Sequence, residues 1–227
     1  MTDFVDIKIA STLKDLTNAF SLRKEIFVEK EGVPDYAEFD GNDLSATHVL
    51  AYVNEKPVGT IRIRYFKDFV KFERICVVPE YRKTNVAGLM VETASKFCAL
   101  KGYDTAYWLC QKALIDRWSQ IGAFPIKGCE PSAQHGMVLT AMGYKLPEAN
   151  KRIDIMTSPE ILNKKEGEWF TGFEIDTETE VKRQKHMEAL DALHKKVQNL
   201  KLVPDAKLKE WRPPFKYDAI DVSLFER

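Results

Sequence analysis

The 227-residue sequence has no excess of either charge, few cysteines and no long hydrophobic run. Its 34 Lys and Arg residues balance 34 Asp and Glu residues, so it lacks the basic surplus that favours binding to a phosphate backbone or an anionic membrane. We therefore expect neither a nucleic-acid partner nor a membrane partner. With 44% hydrophobic and 11% aromatic residues, the chain has enough apolar material for a core, which excludes disorder throughout.

The cysteine pattern excludes two further classes of protein. Cys76, Cys98, Cys110 and Cys129 form no C-x-x-C pair and have no histidine at metal-ligand spacing. They are therefore interpreted as reduced thiols, and we expect no disulfide framework and no metal cofactor.

The first eleven residues carry acidic side chains where a signal peptide needs positive charge, and no apolar stretch is long enough to span a bilayer. Composition thus predicts a cytoplasmic globular protein.

Hydrophobic periodicity predicts a mixed α/β domain in the order β-α-βββ-α-β-α-β. The segment over residues 31–42 is rich in Gly, Pro and acid, and predicts a long, exposed, irregular connection after the first helix. The predicted elements are a strand over residues 4–10, a helix opened by Ser11 and Thr12, meander strands over 47–53, 58–66 and 69–78, a helix from Val86 to Gly102, a strand over 104–111, a helix over 112–121 and a strand over 134–140.

Two parts of the chain differ in hydrophobic density. Residues 1–150 are predicted to form the α/β domain, and residues 151–227 a C-terminal extension. Thr177 and Glu180 form a capping box that predicts a long helix near residues 177–201. Because its apolar stripe is narrow, we expect this helix either to cap the open side of the domain or to form a homodimer contact.

A short polar turn opens the helix that follows the meander. Unpaired N–H groups at the start of a helix, together with the positive end of its dipole, favour an anion such as pyrophosphate. Small residues at Ala87 and Gly88 let a ligand approach the backbone, and Arg82 and Lys83 add positive charge. Asn85 tolerates the left-handed conformation that such turns often need. The turn is therefore a candidate phosphate site.

This turn resembles the acyl-CoA signature of the GCN5-related N-acetyltransferase (GNAT) family, (Arg/Gln)-x-x-Gly-x-(Gly/Ala). The sequence reads Arg82-Lys83-Thr84-Asn85-Val86-Ala87, with an asparagine in place of the first glycine. The resemblance covers about residues 4–145. Three further segments follow in family order and resemble its ElaA-like branch: Leu22-Arg23-x-x-Ile26-Phe27-Val28-x-Lys30-Glu31, Asp40-x-x-Asp43-x-x-Ala46-x-His48 and Gln134-His135-Gly136-Met137.

The resemblance implies a GNAT-type fold, a mostly antiparallel central sheet that splays near Val77 and is flanked by helices. It implies acetyl-CoA, or another acyl-CoA, as co-substrate, and direct attack by a primary amine of a small molecule or peptide in a ternary complex. A backbone N–H near Val77 would hold the oxyanion. The residues expected to contact acyl-CoA are Ile75, Cys76, Val77, Val78, Arg82, Lys83, Thr84, Asn85, Val86, Ala87, Gly88 and Trp118.

Trp118 stands where many family members carry the tyrosine that protonates the leaving thiolate. An indole N–H can donate a hydrogen bond but has no accessible proton to transfer. We expect Trp118 to pack against pantetheine. Any acid that protonates the leaving thiolate is expected to be a water, and His135 is the candidate to hold that water. The alternative is a core aromatic beneath the sheet.

Two side chains are candidates for the base that takes the amine's proton. Glu73 lies on the strand beside the site, and strand alternation predicts that Arg74 points to the opposite face. Glu73 could instead form an ion pair with Arg62 or Arg64 across the meander. His135 is the second candidate, with a structural histidine as its alternative.

The resemblance also implies that Asp40, Asp43 and His48 face the acceptor, where carboxylates would attract a cationic amine. The alternative is a solvated loop with capping aspartates. Two other functions stay open at this stage. One is a longer-chain N-acyl amino acid or acyl-homoserine lactone synthase, and the other is a CoA-binding scaffold that has lost the chemistry.

Overall fold

The computed structural model describes residues 5–134 and 136–169, and within them the chain builds one mixed sheet. Its strands are β1 (Val5–Ile9), β2 (Thr47–Val53), β3 (Lys56–Tyr65), β4 (Val70–Val77), β5 (Thr105–Gln111), β6 (Phe124–Pro125), β7 (Ser132–Gln134) and β8 (Met137–Lys145). The sheet order is β1-β2-β3-β4-β5-β8-β6, with β7 paired to β8. Among these strands, β4 and β5 pair in parallel and the other pairs are antiparallel.

Short helices flank the sheet, and the residues around the first of them explain where it begins. Thr12 caps it, because the Thr12 hydroxyl accepts from the backbone N–H of Asp15 (3.1 Å) while the Asp15 carboxylate accepts from the backbone N–H of Ser11 (3.3 Å). The helices are α1 (Leu13–Arg23), continued by a π-helical segment (Lys24–Lys30), α2 (Asp35–Glu38), α3 (Val86–Leu100), α4 (Ile115–Ser119) and α5 (Pro159–Leu162). No helix in the described part of the chain is long and apolar enough to cross a bilayer.

A wedge opens between the two parallel strands at the centre of the sheet. β4 and β5 pair where Val70 faces Ala106 and Lys71 faces Tyr107, and beyond this point the described residues of the two strands form no further pairs. At the closed end, the Phe72 ring stacks on Trp108 with centroids 6.0 Å apart. Beyond Phe72, the backbone groups that β4 directs toward β5 therefore take no part in pairing between the described residues of these two strands.

A β-bulge in β4 sets the direction of the side chains beside this wedge. Thr60 pairs with Cys76 and Arg62 with Glu73, so two residues of β4 face one residue of β3. Arg74 takes a left-handed conformation there, with φ of +52°. The expectation that Glu73 and Arg74 point to opposite faces is wrong, because both side chains reach one group of charges: Glu73 binds Arg62, and Arg62 and Arg74 both contact Asp40.

The GNAT-type mixed fold expected from the sequence is confirmed, with three local differences. The predicted strand over residues 134–140 is a hairpin, because Gly136, with φ of +77°, turns the chain between β7 and β8. The predicted helix over 112–121 is a 3₁₀ turn followed by the short α4. The connection over 31–42 is not simply exposed, since Glu38 is only 1% accessible.

Residues 151–169 pack on the sheet domain, and the boundary at residue 150 stays a prediction. The backbone N–H of Ile153 donates to the carbonyl of Leu100 (2.7 Å), and Lys101 pairs with Glu166 (2.5 Å). The buried Trp169 stacks on Phe97, with centroids 5.5 Å apart. The helix predicted near residues 177–201, and with it the homodimer or capping contact, lies outside the described residues.

We predict that Trp169→Ala lowers the free energy of unfolding by about 3 kcal/mol, since truncating a buried tryptophan leaves a cavity. Urea unfolding followed by circular dichroism measures the change. The control is Leu162→Ala, at a side chain that is 45% exposed, which should change stability little. An unchanged midpoint for Trp169→Ala would show that this segment does not stabilise the domain.

Candidate active site

A cavity of about 240 Å³ lies beside the wedge, between the π-helical segment and strands β4 and β5. The lining of the cavity combines aromatic side chains with charged side chains of both signs. The aromatic residues are Phe27, Phe72, Trp108 and Trp118, and the charged residues are Glu31, Glu38, Lys71, Glu73 and Arg74. A cavity of this kind suits an acceptor with an apolar body and a charged end.

Glu73 is held in this cavity by three cations. Arg62 donates through Nε (3.1 Å) and Nη2 (2.5 Å) to Glu73 Oε2, which is the cross-strand pair that the sequence allowed. Lys71 Nζ lies 2.5 Å from Oε1, and Arg64 is more distant at 3.7 Å. Burial raises the pKa of Glu73, but hydrogen bonds from Lys71 and Arg62 outweigh burial and hold that pKa below its ordinary value. The side chain is therefore a carboxylate at neutral pH.

Behind Glu73 lies a buried set of charges, here named the arginine cluster. Its three arginines are Arg23, Arg62 and Arg74, and its four carboxylates are Glu38, Asp40, Asp43 and Glu73. Arg23 and Arg62 are fully buried, and each makes hydrogen bonds with two or more carboxylates. Burial of such charges is tolerated only because they are paired in this way.

Glu38 links the cluster to the cavity. Its Oε1 accepts from Arg23 Nε (2.6 Å), and its Oε2 lies 2.8 Å from Arg74 Nε. Burial raises the pKa of Glu38, while the two arginines oppose that shift. The segment that the sequence predicted to be exposed is thus bound to α1 by a charge-assisted hydrogen bond from Arg23, and to the sheet by the ion pair with Arg74 and by a hydrogen bond from Arg74 Nη2 to the carbonyl of Ala37 (2.8 Å).

Asp40, Asp43 and His48 lie behind the cavity, not in its lining. Arg62 binds both aspartates, through Nη1 at 2.7 Å from Asp40 and 3.1 Å from Asp43. Burial of His48, reinforced by the charge of Arg23, lowers its pKa to about 4, so the ring is neutral at pH 7. The expected contact of these three residues with an acceptor stays a prediction. The described contacts link the two aspartates to lining residues through Arg62 to Glu73, through Arg74, and through Arg23 to Glu38.

The polar turn between β4 and α3 is fixed by two arginines. Arg82 Nε donates to the carbonyl of Val77 (3.0 Å), and Arg117 of α4 donates to the carbonyls of Arg82 (3.0 Å) and Thr84 (3.3 Å). The helix begins at Val86, so its first N–H groups face this turn. This turn directly follows the end of β4 that borders the wedge.

Comparison with known proteins identifies this arrangement. The model of the acetyltransferase (GNAT) family matches residues 13–119. A Bacillus subtilis (strain 168) protein named as an acetyltransferase is 36% identical over 101 residues, which cover 43% of this chain and 69% of the relative. The chain belongs to the GNAT acetyltransferase family. Acyl-CoA-dependent N-acyl transfer is the chemistry of that family.

Two solved structures share this GNAT fold at low sequence identity. Escherichia coli ElaA is 20% identical with a TM-score of 0.56, over 62% of this chain and 99% of ElaA. The CoA-dependent acyl-homoserine lactone synthase BjaI, with MTA, is 18% identical with a TM-score of 0.55, over 63% of this chain and 84% of BjaI. At these identities the likeness shows the fold alone.

Asn85, which replaces the GNAT signature glycine, does not adopt a left-handed conformation. Its φ is −86°, so the conformational reason expected for an asparagine here is wrong. Its side chain folds back over the first turn of α3, where a Cβ added at Gly88 would clash with Asn85 Oδ1. The glycine at position 88 therefore gives the Asn85 side chain its room.

The backbone of Val77 is directed into the GNAT wedge. Cys76 pairs with Thr60, and the N–H of Val78 donates to the carbonyl of Val58 (2.9 Å). Because backbone groups alternate between the two edges of a strand, the N–H and C=O of Val77 point away from β3. The Val77 carbonyl accepts from Arg82, and the oxyanion contact of the Val77 N–H stays a prediction.

Trp118 is a buried core aromatic whose surface also reaches the cavity. It is buried with its ring edge-to-face on Trp108, centroids 5.6 Å apart, and it also lines the cavity. Its contact with pantetheine stays a prediction.

His135 lies outside the described residues, so its predicted role as a base also stays a prediction.

Sequence reasoning missed Lys71, Arg74 and Glu38 as members of the site. The sequence contained a signal for Lys71 and Arg74. Both lie with Glu73 on β4, and the strands predicted on either side of β4 place it in the centre of the sheet. Charges in a central strand need partners. No periodic signal placed Glu38 beside them, because its segment is irregular.

We predict that Arg62→Met lowers the free energy of unfolding by about 3 kcal/mol, because it leaves Asp40 and Glu73 without their main partner. Chemical unfolding at neutral pH measures the loss. Arg62→Lys should recover only part of it, since lysine lacks the fork that serves several carboxylates. The control is Arg152→Met, whose pair with Asp104 is exposed and should contribute less than about 1 kcal/mol. Equal effects at Arg62 and Arg152 would contradict the importance of the cluster.

Proposed function

We propose that this protein transfers an acetyl group from acetyl-CoA to a primary amine of a small molecule or peptide, by direct attack in a ternary complex. The observation that carries the proposal is the position of an ionised carboxylate, Glu73, in a cavity beside the β4–β5 wedge. Such a carboxylate favours a cationic amine at the place where a GNAT enzyme receives its acceptor. Membership of the ElaA-like branch is part of the proposal and rests on the three sequence segments named above.

The proposed acyl-CoA site extends along β4 to the start of α3. The pyrophosphate would meet the N–H groups of the first turn of α3, with Arg82 and Lys83 adding charge. Pantetheine would follow the free edge of β4 over residues 75–78, and Trp118 would pack against it. Thr84, Asn85, Val86, Ala87 and Gly88 complete the proposed phosphate turn.

In the proposed reaction the amine nitrogen forms a bond to the thioester carbonyl carbon, and the carbon–sulfur bond then breaks. The Val77 N–H would donate to the oxyanion of the intermediate, a type of contact worth about 10²–10³ in rate. Glu73 holds its proton weakly because its pKa is lowered. It would therefore bind the ammonium and pass the released proton to water, with His135 as the other candidate base, and the departing CoA thiolate would be protonated from water.

A prediction for the phosphate turn uses the contact between Asn85 and Gly88. Gly88→Ala should raise the dissociation constant for CoA by about threefold to tenfold, because the added methyl pushes Asn85 outward into the phosphate turn. The double variant Asn85→Gly/Gly88→Ala should recover the parent affinity. Calorimetric titration measures both. The single variant should lose no stability, since alanine favours a helix over glycine. An equal loss in single and double variants would contradict this account of the turn.

The function itself is tested with the full chain. We expect calorimetric binding of acetyl-CoA and release of free thiol on addition of a suitable primary amine, with acetyl-CoA used faster than octanoyl- or palmitoyl-CoA. Preference for the long chains would replace this proposal with a long-chain N-acyl synthase. Binding of CoA without thiol release from any amine would indicate a scaffold, and no binding at millimolar acetyl-CoA would end the proposal.

A further inference from the structure

Lys71 stands at the mouth of the wedge, at the last position where β4 still pairs with β5. Its side chain is 24% exposed and lines the cavity, and its ammonium lies 2.5 Å from Glu73 Oε1. The opposite oxygen, Oε2, is taken by both donors of Arg62. Oε2 of Glu73 is thus held by the buried Arg62, whereas Oε1 contacts the primary ammonium of Lys71.

The charges of the arginine cluster explain why an ammonium is needed at this place. Its four carboxylates exceed its three arginines by one negative charge. Lys71 supplies the missing positive charge at hydrogen-bonding distance from Glu73. Arg64 is the other nearby cation on this oxygen, but at 3.7 Å and with a 29% exposed side chain it contributes less.

The cations around these carboxylates differ in how easily another cation can displace them. Arg23 and Arg62 are fully buried and bridge several carboxylates, so their removal would leave buried charges unpaired. Lys71 makes one ion pair through a flexible four-carbon stem, and its side chain is partly exposed. Of the two cations within 3.1 Å of the Glu73 carboxylate, Lys71 is therefore the one whose place another ammonium can take without disturbing the buried pairs.

We propose that Glu73 Oε1 is the subsite for the ammonium of the acceptor, and that Lys71 Nζ occupies it until the acceptor displaces it. In its reference to an acceptor this inference rests on the proposed function. The group that fits the subsite is a primary ammonium at the end of an unbranched chain, as the lysine side chain itself is. A quaternary ammonium has no N–H donor and lacks the hydrogen bond that Lys71 makes.

The exchange replaces one ammonium by another and keeps the charge of the cluster constant. The acceptor must therefore compete with an internal group whose local concentration is high. Removing that competitor should strengthen acceptor binding, while loss of a residue that contacts the acceptor directly would weaken it. The sign of the change in affinity thus distinguishes a competitor from a binding residue.

The experiment compares Lys71→Met with the parent and with Lys96→Met. Lys96 is a matched control, because it also forms a single ion pair (2.9 Å, with Glu92) but lies on α3 away from the cavity lining. Calorimetry with n-butylammonium chloride, without CoA, measures the subsite directly, and tetramethylammonium chloride is the negative probe. We expect Lys71→Met to bind n-butylammonium about threefold tighter or more than parent and control do. In the acyl-transfer assay, KM for the amine should fall while KM for acetyl-CoA is unchanged.

Weaker or unchanged binding of n-butylammonium by Lys71→Met overturns the inference, as does equal binding of the two probes. Unfolding midpoints of the variants check that each is folded, and Lys71→Gln repeats the measurement if the methionine variant is unstable. Tighter n-butylammonium binding without thiol release from any amine would support the subsite and count against acetyl transfer. Thiol release with an unchanged KM for the amine in Lys71→Met would support acetyl transfer and refute the subsite.

Discussion

The fully buried guanidinium of Arg62 is the interaction on which the site depends. A buried arginine stays charged, so the fold must bring carboxylates to it. It obtains Asp40 and Asp43 from the connection after α1, and Glu73 from the neighbouring strand. One side chain therefore joins an irregular segment, the centre of the sheet and the wall of the cavity, and the position of Glu73 follows from pairs formed well away from any ligand.

The bulge in β4 is the second constraint, and it acts on the same residues. In a regular strand, Glu73 and Arg74 would lie on opposite faces, and only one of them could meet the cavity. The extra residue and the left-handed conformation of Arg74 turn both side chains to one side. Arg74 then reaches Glu38 while Glu73 reaches Arg62, so the bulge allows adjacent opposite charges to enter one network. The same bulge precedes the free backbone at Val77.

The sequence was sufficient for the parts of the fold that follow from periodicity. The meander, α3 and β5 alternate or repeat over enough residues that burial of one face decides their structure. Glu38 and Asp43 carry no such period, and their burial depends on arginines about 15 to 40 positions away, so composition alone suggested an exposed loop. The hairpin at Gly136 was missed for a similar reason, since one residue with positive φ divides what reads as one strand.

The sequence predicted the part of the candidate site in which backbone groups would contact the ligand. It predicted less of the part that is built from side chains. The turn before α3 and the N–H of Val77 depend on topology, which the GNAT signature specifies. The acceptor side depends on distant pairs and could be named only in part, through Glu73. The strand nevertheless separates two kinds of group, because the turn with the exposed cations Arg82 and Lys83 follows the C-terminal end of β4, whereas the ionised carboxylate of Glu73 lies at the bulge beside Lys71 and Arg62. An anionic cofactor would therefore be attracted to the turn, while a cationic amine would have to exchange with a cation that Glu73 already holds.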